Sequence, residues 1–135
     1  MRLTLGSIMP AQSSIIPSGA IPLSASSGNV ANASAVATLA AQAGRTTFIV
    51  GFDITGTGAT VGLPVVVTVA GLAGGSITWT HAAIAGALLS NTPLSVRLPF
   101  PLPASGANTP ITVTCPALGI GATNNVVNAY GYQEY

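Results

Sequence analysis

Ionic side chains are almost absent from this chain. Its 135 residues include three Lys or Arg residues and two Asp or Glu residues, so 4% of the chain is charged, against about 25% in an ordinary soluble domain. All three of the basic residues are arginines. Disordered chains are rich in charge and poor in β-branched residues. The composition therefore indicates a folded protein whose surface is either small and polar or covered by neighbouring chains.

These absences also exclude several classes of partner. Nonspecific nucleic-acid binding needs clusters of Lys and Arg on phosphates, whereas the arginines here are scattered along the chain. A membrane-surface protein needs a basic amphipathic helix, and the longest nearly apolar run, 61–73, is too short to span a bilayer. A single cysteine excludes an intrachain disulfide. We expect neither a nucleic-acid nor a membrane partner.

Groups that carry chemistry are equally few. Asp53 and Glu134 are the only side-chain carboxylates, and His81 is the only histidine. A Ser-His-Asp triad would have to use His81 with Asp53, and a Cys-His pair would have to use Cys115 with His81. A metal site needs three or four ligands. We predict no enzyme activity, no catalytic residue, no cofactor and no metal site, although a hydrolase that depends on Asp53 stays open as an alternative.

The simplest interpretation of His81, Asp53 and Cys115 is that each has a structural role. His81 ends a predicted strand and reads as a surface or turn histidine. Asp53 is expected to form an ion pair with Arg45 or Arg97, and Cys115 reads as a small buried hydrophobe.

The stretch 45–81 reads as three strands joined by glycine-rich turns, a β-meander. In the first strand, Phe48, Val50, Phe52 and Ile54 fall on one side, because successive side chains of a strand alternate between faces. The second, at 65–69, is apolar on both faces, as in an inner strand. In the third, Ile77 and Trp79 alternate with polar residues.

The rest of the chain continues this pattern. Residues 34–44 fit either a short alanine-rich helix or a strand through Ala35, Ala37 and Leu39 that leads to a turn at 43–44, and the all-β surroundings favour the strand. One helical turn is expected around 84–89. Prolines at 99, 101 and 103 indicate that the strand near 94–98 lies at a sheet edge. Ile111, Val113 and Cys115 are expected to point inward, and 125–135 to form the last strand.

The spacing of strands and turns predicts an all-β fold: one β-sandwich or jelly roll of about seven to eight antiparallel strands, formed by residues 34–135. Its large core residues are expected to be Trp79, Phe48, Phe52 and Phe100. Residues 1–33 read as an extended N-terminal arm, since prolines separate short apolar clusters. We expect the arm to dock on its own sandwich, on a sister subunit or on a larger assembly; the alternative is a loose terminus. Its predicted contact residues are Ile8, Met9, Ile15, Ile16, Ile21 and Leu23.

An aromatic cluster closes the sequence. Tyr130, Tyr132 and Tyr135 are candidates for an interface, because tyrosine is common there and in sugar-binding platforms. The ordinary alternation of a strand also explains two of the three.

Two segments, SSGNVANASAVATLAAQAGRTTFIVGFDITGTGAT and NNVVNAYGYQEY, joined by a texture rich in Ser, Ala, Gly and Thr, resemble head-decoration (cement) proteins of tailed bacteriophages. The resemblance extends over roughly residues 25–135. It implies a virion structural protein at the capsid surface that binds the major capsid protein and stabilises the assembled shell, as a homotrimer and without a cofactor. The alternative is a receptor- or carbohydrate-binding module of a phage tail fibre or spike, with Trp79, Tyr130 and Tyr132 stacking on sugar rings.

Overall fold

The computed structural model describes residues 16–86 and 92–135. Their regular structure is entirely β, which confirms the predicted fold class. The strands are β1 (Ile21–Ser26), β2 (Ala35–Leu39), β3 (Thr46–Thr57), β4 (Pro64–Ala70), β5 (Ile77–Ala82), β6 (Leu94–Pro103), β7 (Ile111–Cys115) and β8 (Asn124–Glu134). The described residues contain no helix of the length and apolar character that crossing a membrane requires.

The strands form two four-stranded antiparallel sheets. Sheet A has the order β1-β8-β3-β6, and sheet B the order β2-β7-β4-β5. The strands therefore form four nested pairs: β1 with β8, β2 with β7, β3 with β6, and the central hairpin β4–β5. This is the arrangement of an eight-stranded jelly roll. The predictions of an inner strand at β4 and an edge strand at β6 are both confirmed.

The predicted three-stranded meander is wrong in one respect. β4 and β5 form a hairpin, but β3 pairs with β8 and β6 instead of β4. The loop from 58 to 63 crosses from sheet A to sheet B. Glycine-rich turns look alike whether they join neighbours in one sheet or cross between two, so the local pattern did not distinguish these cases.

A bulge in β3 shifts the alternation that the sequence predicts. The ladder passes from Ile49 opposite Gly131 to Gly51 opposite Tyr130, so Val50 is an extra residue. Ile49, Phe52 and Ile54 are consequently all fully buried. The predicted common face is therefore wrong for Phe48, which lies on the outer side of the sheet opposite Tyr132.

The core lies between the inner faces of the two sheets. Its largest buried side chain is Phe52, whose ring meets Trp79 edge-on at 4.9 Å. The residues predicted to point inward on β7 are confirmed, each with 0% exposure. Phe100 is a correction, since it is 62% exposed. It lies in the part of β6, between Arg97 and Leu102, that skips its pairing with β3.

The sandwich begins earlier than the predicted boundary at Ser34. β1 pairs along its whole length with β8, from Ile21 opposite Gln133 to Ser26 opposite Asn128. The backbone N–H of Val127 donates a further hydrogen bond of 2.9 Å to the Ser27 hydroxyl. The second half of the predicted arm is therefore an edge strand of sheet A. Residues 35–39 form the favoured strand, and the described residues of the expected helical turn, 84–86, are irregular.

Candidate functional site

An apolar surface lies at one end of the sandwich, where three loops meet. It comprises Val61 and Leu63 between β3 and β4, Ile84 after β5, and Ile120 between β7 and β8; we call it the loop end. These four side chains are 58%, 45%, 46% and 79% exposed. Monomeric soluble proteins seldom expose contiguous apolar patches, and those they do expose often mark interaction sites.

Backbone hydrogen bonds hold the three loops against one another. The N–H of Thr60 donates to the Ile120 carbonyl oxygen at 2.7 Å, and the N–H of Ala83 donates to that of Leu63 at 3.1 Å. Gly119 has a φ of +111°, and a Cβ there would fall 2.8 Å from the Val61 carbonyl oxygen. Only glycine allows this approach without strain. The apolar side chains are thus presented by loops of defined geometry.

A shallow depression accompanies the exposed side chains. Its volume is about 570 Å³, and it is lined by Asn32, Leu63, Ala117, Gly119, Ile120 and Gly121. None of these side chains is ionisable. The depression suits an apolar or small polar side chain from another protein, with exposed backbone groups as hydrogen-bonding partners.

The charged residues lie elsewhere in the described part of the chain. Asp53, Arg97 and Glu134 belong to strands of sheet A, and Arg45 immediately precedes β3. The described residues of the three loops carry no charge. The outer face of sheet B is also uncharged, with threonines and valines such as Val66, which is 52% exposed. Within residues 16–86 and 92–135, the charged groups therefore lie on or beside sheet A, and the outer face of sheet B carries none.

Two of the charged residues on sheet A pair with each other. Arg97 and Asp53 form the predicted ion pair at 3.3 Å, the Ser95 hydroxyl donates to the same carboxylate at 2.6 Å, and Tyr130 also hydrogen bonds to it. Burial alone would raise the pKa of Asp53, but the hydrogen bonds from Ser95, Tyr130 and Arg97 lower it overall. The guanidinium of Arg97 lies over the Tyr130 ring, 5.3 Å from its centroid.

The predicted aromatic cluster divides into three separate environments. Tyr130 belongs to the Asp53 network, and Tyr132 is 3% exposed and stacks on Phe48. Tyr135 is 92% exposed, and Arg45 donates to its hydroxyl at 2.7 Å. Trp79 faces the core. Tyr130 and Tyr132 share the outer face of sheet A, but Trp79 packs against Phe52 in the core, so the three rings do not form the common sugar-stacking platform that the carbohydrate-binding alternative expects.

The predicted arm contacts are only partly within the described residues. Ile8, Met9 and Ile15 lie outside them. Ile16 is half-buried, Ile21 at the start of β1 is 42% exposed, and Leu23 packs against the core. Leu23 is therefore a structural residue of the sandwich.

The candidate catalytic residues are not brought together. Asp53 lies on the outer face of sheet A, whereas His81 lies on the inner face of sheet B. The prediction of a surface or turn histidine is wrong, because His81 is 7% exposed and pairs with the buried Val65. Burial lowers its pKa. The buried thiol of Cys115, on β7, has its pKa raised by burial, and β4 separates β7 from β5.

Among residues 16–86 and 92–135, no group of three His, Cys, Asp or Glu side chains is placed to bind a metal ion. The loop end was missed by reasoning from the sequence. Its signal was present, since large aliphatic residues alternate with glycine in turns where small polar residues are usual. No protein-family model, curated protein or solved structure matches the chain.

Proposed function

We propose that this protein is a structural subunit of a virion that decorates the assembled capsid and stabilises it. The observation that carries the proposal is the loop end, where Val61, Leu63, Ile84 and Ile120 project from loops that contain no charged residue. Covering such side chains releases about 25 cal/mol for each Å² of apolar surface removed from water. The major capsid protein is the proposed partner.

The mechanism is mass action. A subunit that binds the assembled shell, but not its separated components, shifts the equilibrium toward the assembled state. Contacts to several capsid subunits at once raise the overall affinity through effective concentration. Because the loop end is uncharged, its binding should depend little on ionic strength. Residues before Ile21, including Ile8, Met9, Ile15 and Ile16, are proposed as a second contact.

The number of copies in purified particles tests the proposal. Quantitative mass spectrometry of virions from the source of this sequence should find a stoichiometry comparable to that of the major capsid protein. A handful of copies per particle would support the tail-fibre or spike alternative. Absence from the particles would overturn both.

Two variants separate the loop end from the arm. Ile120→Asp places a charge in the loop end and should lower binding to shells stripped of this protein by at least tenfold. Phe100→Asp is the matched control, because Phe100 is comparably exposed but lies on β6. Deletion of residues 1–15 leaves the described strands intact and measures the contribution of the arm. Equal binding by wild type and Ile120→Asp would exclude the loop end as the contact.

The homotrimer implied by the resemblance is a separate proposal, and the mass of the native protein in solution tests it. The carbohydrate-binding alternative is tested by a glycan array with wild type and Tyr130→Ala. Glycan binding that Tyr130→Ala abolishes would favour it over the capsid role.

A further inference from the structure

The edges of the two sheets differ in how they are protected against pairing with another chain. In sheet A, β1 contains Pro22, and β6 contains Pro99, Pro101 and Pro103 together with Arg97. Proline and charge are the usual devices that block an exposed edge. In sheet B, the edge strands β2 and β5 contain no proline and no Lys, Arg, Asp or Glu residue.

Of these two unprotected edges, β5 lies on the open side of the sandwich. On the other side, β2 is flanked by β1, which contacts it. β5 and β6 stand further apart, and a pocket of about 170 Å³ separates the start of β5 from the end of β6, lined among others by Ile77, Leu102 and Pro103. Among residues 16–86 and 92–135, the edge of β5 is therefore less covered than that of β2.

The register of β5 on β4 identifies the groups that its open edge presents. The N–H of Ala83 donates to the Leu63 carbonyl oxygen at 3.1 Å, so the pair 83–63 is a hydrogen-bonded pair. In an antiparallel ladder such pairs alternate with non-hydrogen-bonded pairs. The backbone N–H and C=O groups of Trp79 and His81 consequently bond to β4. Those of Thr78, Thr80 and Ala82 point outward.

Two observations agree with this assignment. The residue opposite Ala82 is Pro64, which has no N–H to donate. In addition, no backbone hydrogen bond in the turns and loops of the described residues uses Thr78, Thr80 or Ala82. An outward-facing amide without a protein partner can bond only to water or to an added strand.

We propose that β5 pairs antiparallel with β5 of a second copy of this chain, about a two-fold axis at Thr80. Thr80 is the middle one of the three outward-facing residues, with Thr78 and Ala82 at equal distances on either side of it. Thr80 then meets Thr80 of the other copy, and Thr78 meets Ala82, each as a hydrogen-bonded pair. The contact joins the two copies of sheet B into one continuous sheet.

A second copy fits this edge better than an unrelated chain. In a two-fold contact each residue near the axis faces itself or a close neighbour, so any charge there would face its own copy. β5 has no such charge, and its threonines pair well across strands. This contact joins copies in pairs, so the trimer implied by the resemblance would need another surface.

Cysteine cross-linking of the full chain tests the register. Directly opposite residues in hydrogen-bonded pairs have Cα atoms about 5.5 Å apart, which a disulfide spans. Thr80→Cys should therefore form a covalent dimer under mild oxidation. Thr78→Cys is the matched control, because its counterpart in the second copy is Ala82. A mixture of Thr78→Cys and Ala82→Cys should cross-link, whereas Thr78→Cys alone should not. The native Cys115 is buried in both variants.

The mass of the uncross-linked protein gives an independent readout. Sedimentation should show a dimer, and Thr80→Pro should weaken it at least tenfold because proline removes the outward N–H. Val66→Lys tests whether the copies associate through the outer face of sheet B and not through its edge. Val66 lies opposite Thr80 on the inner strand β4, so this variant should leave the dimer intact. A monomer at all concentrations, a trimer unaffected by Thr80→Pro, or equal cross-linking of Thr78→Cys and Thr80→Cys would overturn the proposal. If the protein forms this dimer but does not bind the capsid, the capsid role is wrong and the dimer proposal stands.

Discussion

The rings of Phe48 and Tyr132 stack on the outer face of sheet A, with centroids 4.9 Å apart and planes within 13°. The two residues lie directly opposite each other on β3 and β8. Pro22 on β1 lies opposite Tyr132, and Pro103 on β6 lies opposite Phe48. These four side chains form an apolar row across all four strands, which explains why Tyr132 is buried although it points away from the core.

Tyr132→Ala should therefore destabilise the fold. Removing a buried aromatic ring and its stacking contact with Phe48 costs about 2–4 kcal/mol, which urea denaturation measures. Tyr135→Ala is the matched control, because its ring is 92% exposed, and it should stay within about 0.5 kcal/mol of wild type. Similar losses in both variants would show that the stack contributes nothing to stability.

Gly131 should not tolerate a side chain. It lies in the inner strand β8, opposite Ile49, and a Cβ there would meet the carbonyl oxygen of Phe48 and the side chain of Leu39. The carbonyl oxygen of Phe48 is a backbone atom, so the sheet itself would have to move. Gly131→Ala should therefore lower the free energy of unfolding by about 3 kcal/mol, at the upper end of the usual cost of overpacking a core. Thermal unfolding measures the loss.

Gly74→Ala is the control for this substitution. A Cβ at Gly74 would meet nothing within 4 Å, so the variant should be neutral or more stable by about 0.4–1 kcal/mol through the lower entropy of the unfolded chain. A Gly131→Ala protein as stable as Gly74→Ala would contradict the close approach of β8 and β3.

Much of the fold was predictable because strand identity is local information. Alternation along 111–115 and the prolines of 99–103 correctly predicted an inward face and an edge strand. Pairing partners are non-local, so the sequence did not indicate that β3 leaves β4 and pairs with β8. The bulge at Val50 was also hidden, because Phe48 and Val50 continue a perfect alternation that the structure interrupts.

The candidate site was less predictable than the fold. Ile120 is far in sequence from Val61 and Leu63 and is brought next to them only when the two sheets assemble. Their apolar character does not distinguish them from core residues, because large aliphatic residues are usually buried. His81 was misplaced because a polar side chain at a strand end suggests exposure. In both cases burial cannot be assigned from residue type before the pairing of the strands is known.

The ion pair of Asp53 and Arg97 should contribute little to stability. The Arg97 side chain is 58% exposed, and exposed pairs are worth about 0–1 kcal/mol. Arg97→Gln should therefore unfold within about 1 kcal/mol of wild type at pH 7. Double-mutant cycles with Asp53→Asn measure the coupling, and a value above about 2 kcal/mol would contradict the screening expected at this exposure.

Asp53 should also make the free energy of unfolding decrease at acid pH. Its folded pKa lies below the ordinary value of 3.8, so the folded state holds the carboxylate in its charged form more strongly than the unfolded chain does. The stabilisation is complete above the unfolded pKa and is lost as the pH falls through the folded pKa. An NMR titration of the Asp53 carboxyl carbon should give a pKa below 3.8, and Ser95→Ala should raise it by removing one hydrogen bond.

His81 predicts a second and separate pH dependence, between the ordinary value of 6.5 and its lower folded pKa. Burial penalises the imidazolium, and its Nε2 is buried without a hydrogen-bond partner. The unfolded chain therefore takes up a proton first as the pH falls below 6.5, and the free energy of unfolding should decrease by up to about 1.4 kcal/mol per pH unit. Well above 6.5 the imidazole is neutral in both states, and this dependence should vanish.

Urea denaturation at pH 5.5, 6.0, 6.5 and 7.5 measures this slope. His81→Leu should abolish it, because the chain has no other histidine and its carboxyl groups titrate at lower pH. Ala82→Ser, next to it on β5 and facing outward, should keep the wild-type slope. If acidification stabilises the protein, or if the slope persists in His81→Leu, the imidazole is not held neutral by the core, and the inward orientation of β5 at this residue is wrong.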